Sequence, residues 1–224
     1  MDKKKIMMIF IITIFSIGSL HIVDQYLEIT YFGKTLVKLL YFVLAPVIYI
    51  LWTKDNFLKN TFKKPFVSYK KTIYILSMVV FLGIIGIFFI LKGQLNVSTI
   101  INELEEKYQV TSSNLIFYGL YIIFINSFIE EFFFRGFIFL SLKNLNQRFL
   151  AYCVSSISFA IYHIAIFKNW FSVGTFLISL SGLIAGGLLF DFFDDKPNSF
   201  INSWIIHISA DLAIIIIGFY LFSL

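Results

Sequence analysis

The chain has 224 residues, of which only 14% are charged and 20% are aromatic, and its mean hydropathy is +0.87. A water-soluble domain of this size needs far more polar surface, so the composition excludes one and points to an all-α, polytopic membrane protein lying in a lipid bilayer. The net charge of +5 forms no basic stripe on a soluble face, which argues against nucleic acid as a partner, and the single Cys153 excludes a disulfide framework or a CxxC metal site.

Apolar runs long enough to span a bilayer, about 20 residues each, fall at 6–23, 35–52, 72–91, 114–142, 149–167, 172–190 and 199–222. They predict about seven transmembrane helices, or eight if the long fourth run breaks near Arg135-Gly136. The first run has a basic start but no small-x-small cleavage site, and more apolar runs follow it, so it reads as a retained helix. Lys3, Lys4 and Lys5 precede it, and six lysines crowd residues 53–71. Lysines mark the cytoplasmic side, which places the N-terminus in the cytoplasm of a multi-pass cell-membrane protein and residues 92–114 outside. The lysine-rich stretch at 54–71 reads as a topology determinant and a contact for anionic lipid.

Residues 1–113 read as a three-helix scaffold with almost no polar groups inside its runs. His21, near the outer end of the first helix, reads as an interfacial residue. Residues 114–224 read as a four-helix catalytic core. Within that core, the fourth run carries "NSFIEEFFFRGF", the fifth carries "FAIYH" and the seventh carries "HISAD". Charged groups inside a span cost roughly 2.5–3.5 kcal/mol each and mark function. Counting from the cytoplasmic loops at about 1.5 Å per residue, Glu130, His163 and Asp211 all lie roughly 20 Å deep, and His207 roughly 14 Å.

Spacing supports the convergence. Glu131 and Arg135 are four residues apart and share a helix face, so they can pair. Glu130 is turned about 100° away from Glu131 and faces a different neighbour. His207 and Asp211 also share a face, as do Phe159 and His163. A carboxylate beside histidines in a dry chamber suits a general base for water, and two histidines with a carboxylate suit a zinc ion with one open position. The residues alone leave both readings open. There is no HExxH helix, no G-x-S-x-G elbow, and no buried aspartate dyad, since Asp191, Asp194 and Asp195 read as helix-end loop residues. Gly182, Gly186 and Gly187 read as close-packing positions between helices.

These three motifs resemble the EExxxR, FxxxH and HxxxN/D motifs of the CAAX-protease and bacteriocin-processing family, also called the ABI family, over the second half of the chain. The resemblance implies an intramembrane endopeptidase. Glu130 would be its water-activating base, with His163 assisting. His207 and Asp211 would form the transition-state or metal-binding side, and Glu131, Arg135 and Phe159 would support the site. Family members are described as metalloproteases, which implies one divalent ion such as zinc on His163, His207 and Asp211. Asp211 stands where the eukaryotic prenyl-protein proteases have asparagine. A carboxylate there suits a metal ligand and is a poor oxyanion donor unless protonated. The Ile, Phe, Lys and Asn bias suggests an AT-rich bacterial genome. The expected substrate is therefore a membrane peptide or protein handled in peptide maturation or bacteriocin self-immunity. The runner-up expectation is a non-catalytic immunity or peptide-binding protein that keeps the protease fold, and a transporter stands third.

Overall fold

In the computed structural model, which describes residues 2–27, 31–55, 59, 70–167 and 172–223, the apolar runs are helices and no strand occurs among the described residues. They are α1 (Asp2–Tyr26), α2 (Gly33–Thr53), α3 (Lys70–Gln94), α4 (Val97–Glu106), α5 (Leu115–Asn144), α6 (Arg148–Phe167), α7 (Val173–Asp195) and α8 (Ile201–Leu221). The protein is an all-α, polytopic membrane bundle. Six of these helices (α1, α2, α3, α5, α7 and α8) are long and apolar enough to cross a membrane. The run at 149–167 forms α6, whose 20 residues reach about 30 Å. The lysine-rich stretch at 54–71 lies almost wholly outside the described residues.

Local chemistry sets the helix ends. Asn96 caps α4 by accepting from the Thr99 amide at 3.2 Å, and Ser172 caps α7 by accepting from the Thr175 amide at 3.4 Å. The tight turns after α5 and α7 each use an asparagine in the left-handed region, Asn146 (φ 60) and Asn198 (φ 56), a conformation asparagine tolerates well. The outer surface is apolar, with Ile14, Phe15, Leu51, Ile75 and Ile90 all exposed. A water-facing protein would not carry such a surface, whereas acyl chains suit it.

The core sits around α5, where every residue from Phe132 to Leu140 is buried. Phe133 stacks on Phe42 of α2 at 4.0 Å, and Phe134 meets Phe159 of α6 edge-on at 5.4 Å. The helix does not break at Arg135-Gly136, so no eighth span arises there. It widens instead, with π-helical turns at Tyr121–Asn126 and Phe132–Leu140. Wide turns of this kind are frequent at functional sites, and Glu130 and Glu131 stand between the two.

Two expectations change at α7. Asp191, Asp194 and Asp195 are not loop residues. All three belong to the last turns of the helix and are buried. Of the three glycines read as close-packing positions, only Gly187 is a close approach, since a Cβ there would sit 2.9 Å from both Cα and Cβ of Ser156 on α6. Gly182 and Gly186 have open space beside them.

Candidate active site

Four helices place polar side chains in one buried chamber. Glu130 and Glu131 come from α5, His163 from α6, His207 and Asp211 from α8, and Lys38 from α2. Glu130, Glu131, His207, Asp211 and Lys38 are all buried, and the His163 side chain is 14% exposed.

The two glutamates divide the work as their angular separation predicts. Glu131 Oε1 accepts from Arg135 Nη1 at 3.0 Å and from His207 Nδ1 at 2.7 Å. Arg135 is fully buried, with its guanidinium 4.2 Å from the Phe159 ring centre, 4.9 Å from that of Phe190, and its Nε 3.5 Å from Asp191 Oδ1. Asp191 is anchored in turn by the Ser155 hydroxyl at 2.8 Å. This network holds three ionisable groups inside the bundle. A buried charge survives there only when its partners are held in good geometry.

Glu130 faces the histidines. Its Oε2 lies 3.2 Å from His163 Nε2 and 3.7 Å from His207 Nε2, and it has no hydrogen-bond partner. The opposite ring nitrogens are both committed. His163 Nδ1 donates to the Phe159 carbonyl at 2.9 Å, and His207 Nδ1 donates to Glu131. A carbonyl and a carboxylate accept only, so each Nδ1 carries its hydrogen and each Nε2 presents a lone pair when the ring is neutral. Three acceptors then point at one another, an arrangement that calls for a proton, a polarised water or a cation among them.

The donor set fits a divalent ion. Donors about 2.0–2.1 Å from a tetrahedral ion lie about 3.3 Å apart, close to the spacings around Glu130 Oε2. Ligand atoms of Glu130, His163 and His207 lie within 4.8 Å of one another. The Nδ1 bonds are the outer contacts that orient metal-binding histidines. This set differs from the expected one. Glu130 takes the place of Asp211, whose Oδ1 lies 3.6 Å from His207 Nε2 and whose Oδ2 is unpartnered. Asp211 therefore stands at the edge of the chamber, beside His207. Phe159 packs on His163 with ring centres 4.2 Å apart and fixes its plane.

Lys38 is the residue that the sequence reasoning passed over. Its Nζ donates to Glu130 Oε1 and to Asn126 Oδ1, each at 2.5 Å. Asn126 Nδ2 donates to the same Glu130 oxygen at 2.9 Å. Glu130 is thus ion-paired, not an unmatched carboxylate, and the N-terminal helices contribute to the site. The available signal was a lysine three residues inside an apolar run, with Lys34 one turn away on the same face.

Residues 112–213 match the family model described as type II CAAX prenyl endopeptidase, Rce1-like. The match takes in all three motifs and leaves α1 to α4 outside it. No curated protein and no solved structure matches the chain.

Proposed function

Through residues 112–213 the chain is a member of the CAAX-protease and bacteriocin-processing family of intramembrane endopeptidases, and from that premise we propose that Glu130 activates water for peptide-bond hydrolysis. The observation that carries this reading is the free Oε2 of Glu130, aimed at two imidazole nitrogens whose far sides are fixed. Water between these atoms gives a proton to Oε2 as its oxygen bonds to the scissile carbonyl carbon. The same proton then passes to the leaving amine as the carbon–nitrogen bond breaks. His163 and His207 orient the water, and Glu131 keeps His207 in the required tautomer. A divalent ion such as zinc, held by Glu130, His163 and His207, would occupy Oε2 and supply the activation of water by Lewis acidity in place of the free carboxylate. Asp211 adjoins the position where charge develops.

The substrate that fits best is a bacterial membrane peptide or protein in peptide maturation or bacteriocin self-immunity. The lysine distribution supports a cell-membrane protein with a cytoplasmic N-terminus. Separate Glu130→Ala and His163→Ala variants test the reading. Both should abolish processing of the membrane peptide while leaving the protein folded, and unchanged processing in both rejects catalysis. One observation favours the second reading, a non-catalytic peptide-binding or immunity protein: the Lys38 ion pair gives Glu130 a structural partner. On that reading Glu130→Ala leaves the immunity phenotype intact.

A further inference from the structure

We propose that Lys38 is a positioning residue for Glu130, supplied from α2, outside the stretch matched by the family model. The inference rests on the reading of Glu130 as the water-activating group and adds how that group is aimed.

The geometry is asymmetric. Two donors, the Lys38 ammonium at 2.5 Å and the Asn126 amide at 2.9 Å, share one oxygen of the Glu130 carboxylate, Oε1. Oε2 receives none and is the oxygen turned to His163 and His207. The third side of the triangle is closed, because Lys38 also donates to Asn126 Oδ1. A carboxylate held at one oxygen by two donors cannot turn about its terminal torsion, a broad one when free. Oε2 is therefore presented in one direction.

Lys38 is itself restrained. Its Nζ lies 5.1 Å from the ring centre of Tyr162 and 5.6 Å from that of Phe42, within reach of cation–π attraction. Phe42 is fully buried and follows Lys38 by four residues, so one face of α2 carries both the ammonium and the ring beneath it. A lysine there also supplies a fixed positive charge on the side of Glu130 away from the imidazoles. That leaves the imidazole side open to water, to a cation or to the substrate carbonyl. Lys38 touches neither the reacting atoms nor the histidines, and its action passes through Glu130.

The test uses the full chain in native membranes and a hydrophobic carbodiimide, dicyclohexylcarbodiimide, which reacts with buried carboxyls that lack a cationic partner. Labelling at Glu130 is read by peptide mass spectrometry against labelling at Asp194, a buried carboxyl on α7 away from Lys38. Lys38→Met keeps the length and apolar stem and deletes the charge; Lys38→Arg keeps a cation. The expected Glu130-to-Asp194 labelling ratio is low in the wild type and in Lys38→Arg, and higher by roughly tenfold or more in Lys38→Met. Peptide processing should fall by about a hundredfold in Lys38→Met, the scale of an ångström misplacement of a reacting group, and persist in Lys38→Arg. In a Lys38→Met protein that keeps the wild-type thermal melt, an unchanged ratio overturns the inference. The double variant Lys38→Met/Glu130→Gln, which leaves no buried charge unpaired, checks that the fold tolerates the change. Failure of the catalytic reading shows elsewhere, as unchanged processing in Glu130→Ala, and does not move the labelling ratio.

Discussion

At the scale of single residues, the proposed function separates a holding set from a reacting set. Arg135, Glu131 and Asp191 hold, and their burial makes them sensitive to loss of any one partner. Arg135→Met leaves Glu131 and Asp191 as buried carboxylates without their cation. We expect it to destabilise the protein by about 3–5 kcal/mol, measured as loss of the folded fraction on heating in detergent. Glu130→Gln, by contrast, keeps shape and the contact with Asn126 and removes the base. It leaves the buried Lys38 ammonium without its carboxylate, so it should lower the melting temperature as well, and lower turnover by about a hundred- to ten-thousandfold, the usual contribution of a general base. The Glu131–Arg135 pair and the packing of Phe159 on His163 were legible in the sequence because their spacing within each helix is itself the geometry. Lys38 was not, since nothing local connects it to a partner 92 residues away. The aspartates of α7 were misread because a cluster before a proline and an asparagine resembles a helix end. It is one, but that end is buried against Arg135 and α8.

At the scale of elements, the contact between α6 and α7 sets where His163 stands. Gly187 lets the two backbones approach, and its carbonyl lies 3.5 Å from Arg135 Nη2. A methyl at Gly187 would meet Ser156 main-chain and side-chain atoms at 2.9 Å, and neither can swing away as a flexible side chain would. Gly187→Ala should destabilise by about 1–3 kcal/mol and depress activity by displacing α6. Gly186→Ala, with nothing within 4 Å of the added carbon, should change stability by no more than about 0.5 kcal/mol. Thermal melts of both variants side by side check the pair. The widened turns of α5 had no signature in the sequence. Apolar periodicity shows that a helix exists, whereas it does not encode where a turn widens.

At the scale of the whole molecule, a helix outside the family match brings Lys38 to Glu130. A latch ties α1, α2 and the segment after α4 together. Asp24 accepts from Lys34 at 3.0 Å, Lys107 at 3.1 Å and Tyr108 at 3.2 Å. Burial, with Asp24 beside it, pushes the Tyr108 hydroxyl well above its usual range, so it remains a donor. Asp24→Asn should loosen this end by about 1–3 kcal/mol and, because α2 carries Lys38, lower peptide processing as well. Helix existence and the convergence of the motif residues could be read from the sequence because length, hydropathy and spacing encode them directly. The docking of α2 on α5 could not, since an apolar helix face fits many neighbours. The central claim is that Glu130 works as the base of a membrane-embedded peptidase. Comparative peptidomics of membranes carrying the wild type or the Glu130→Ala protein tests it most directly. The account predicts that a defined set of membrane-derived fragments present with the wild type is lost, with their uncut precursors accumulating, at equal protein levels. Identical peptide profiles would contradict it.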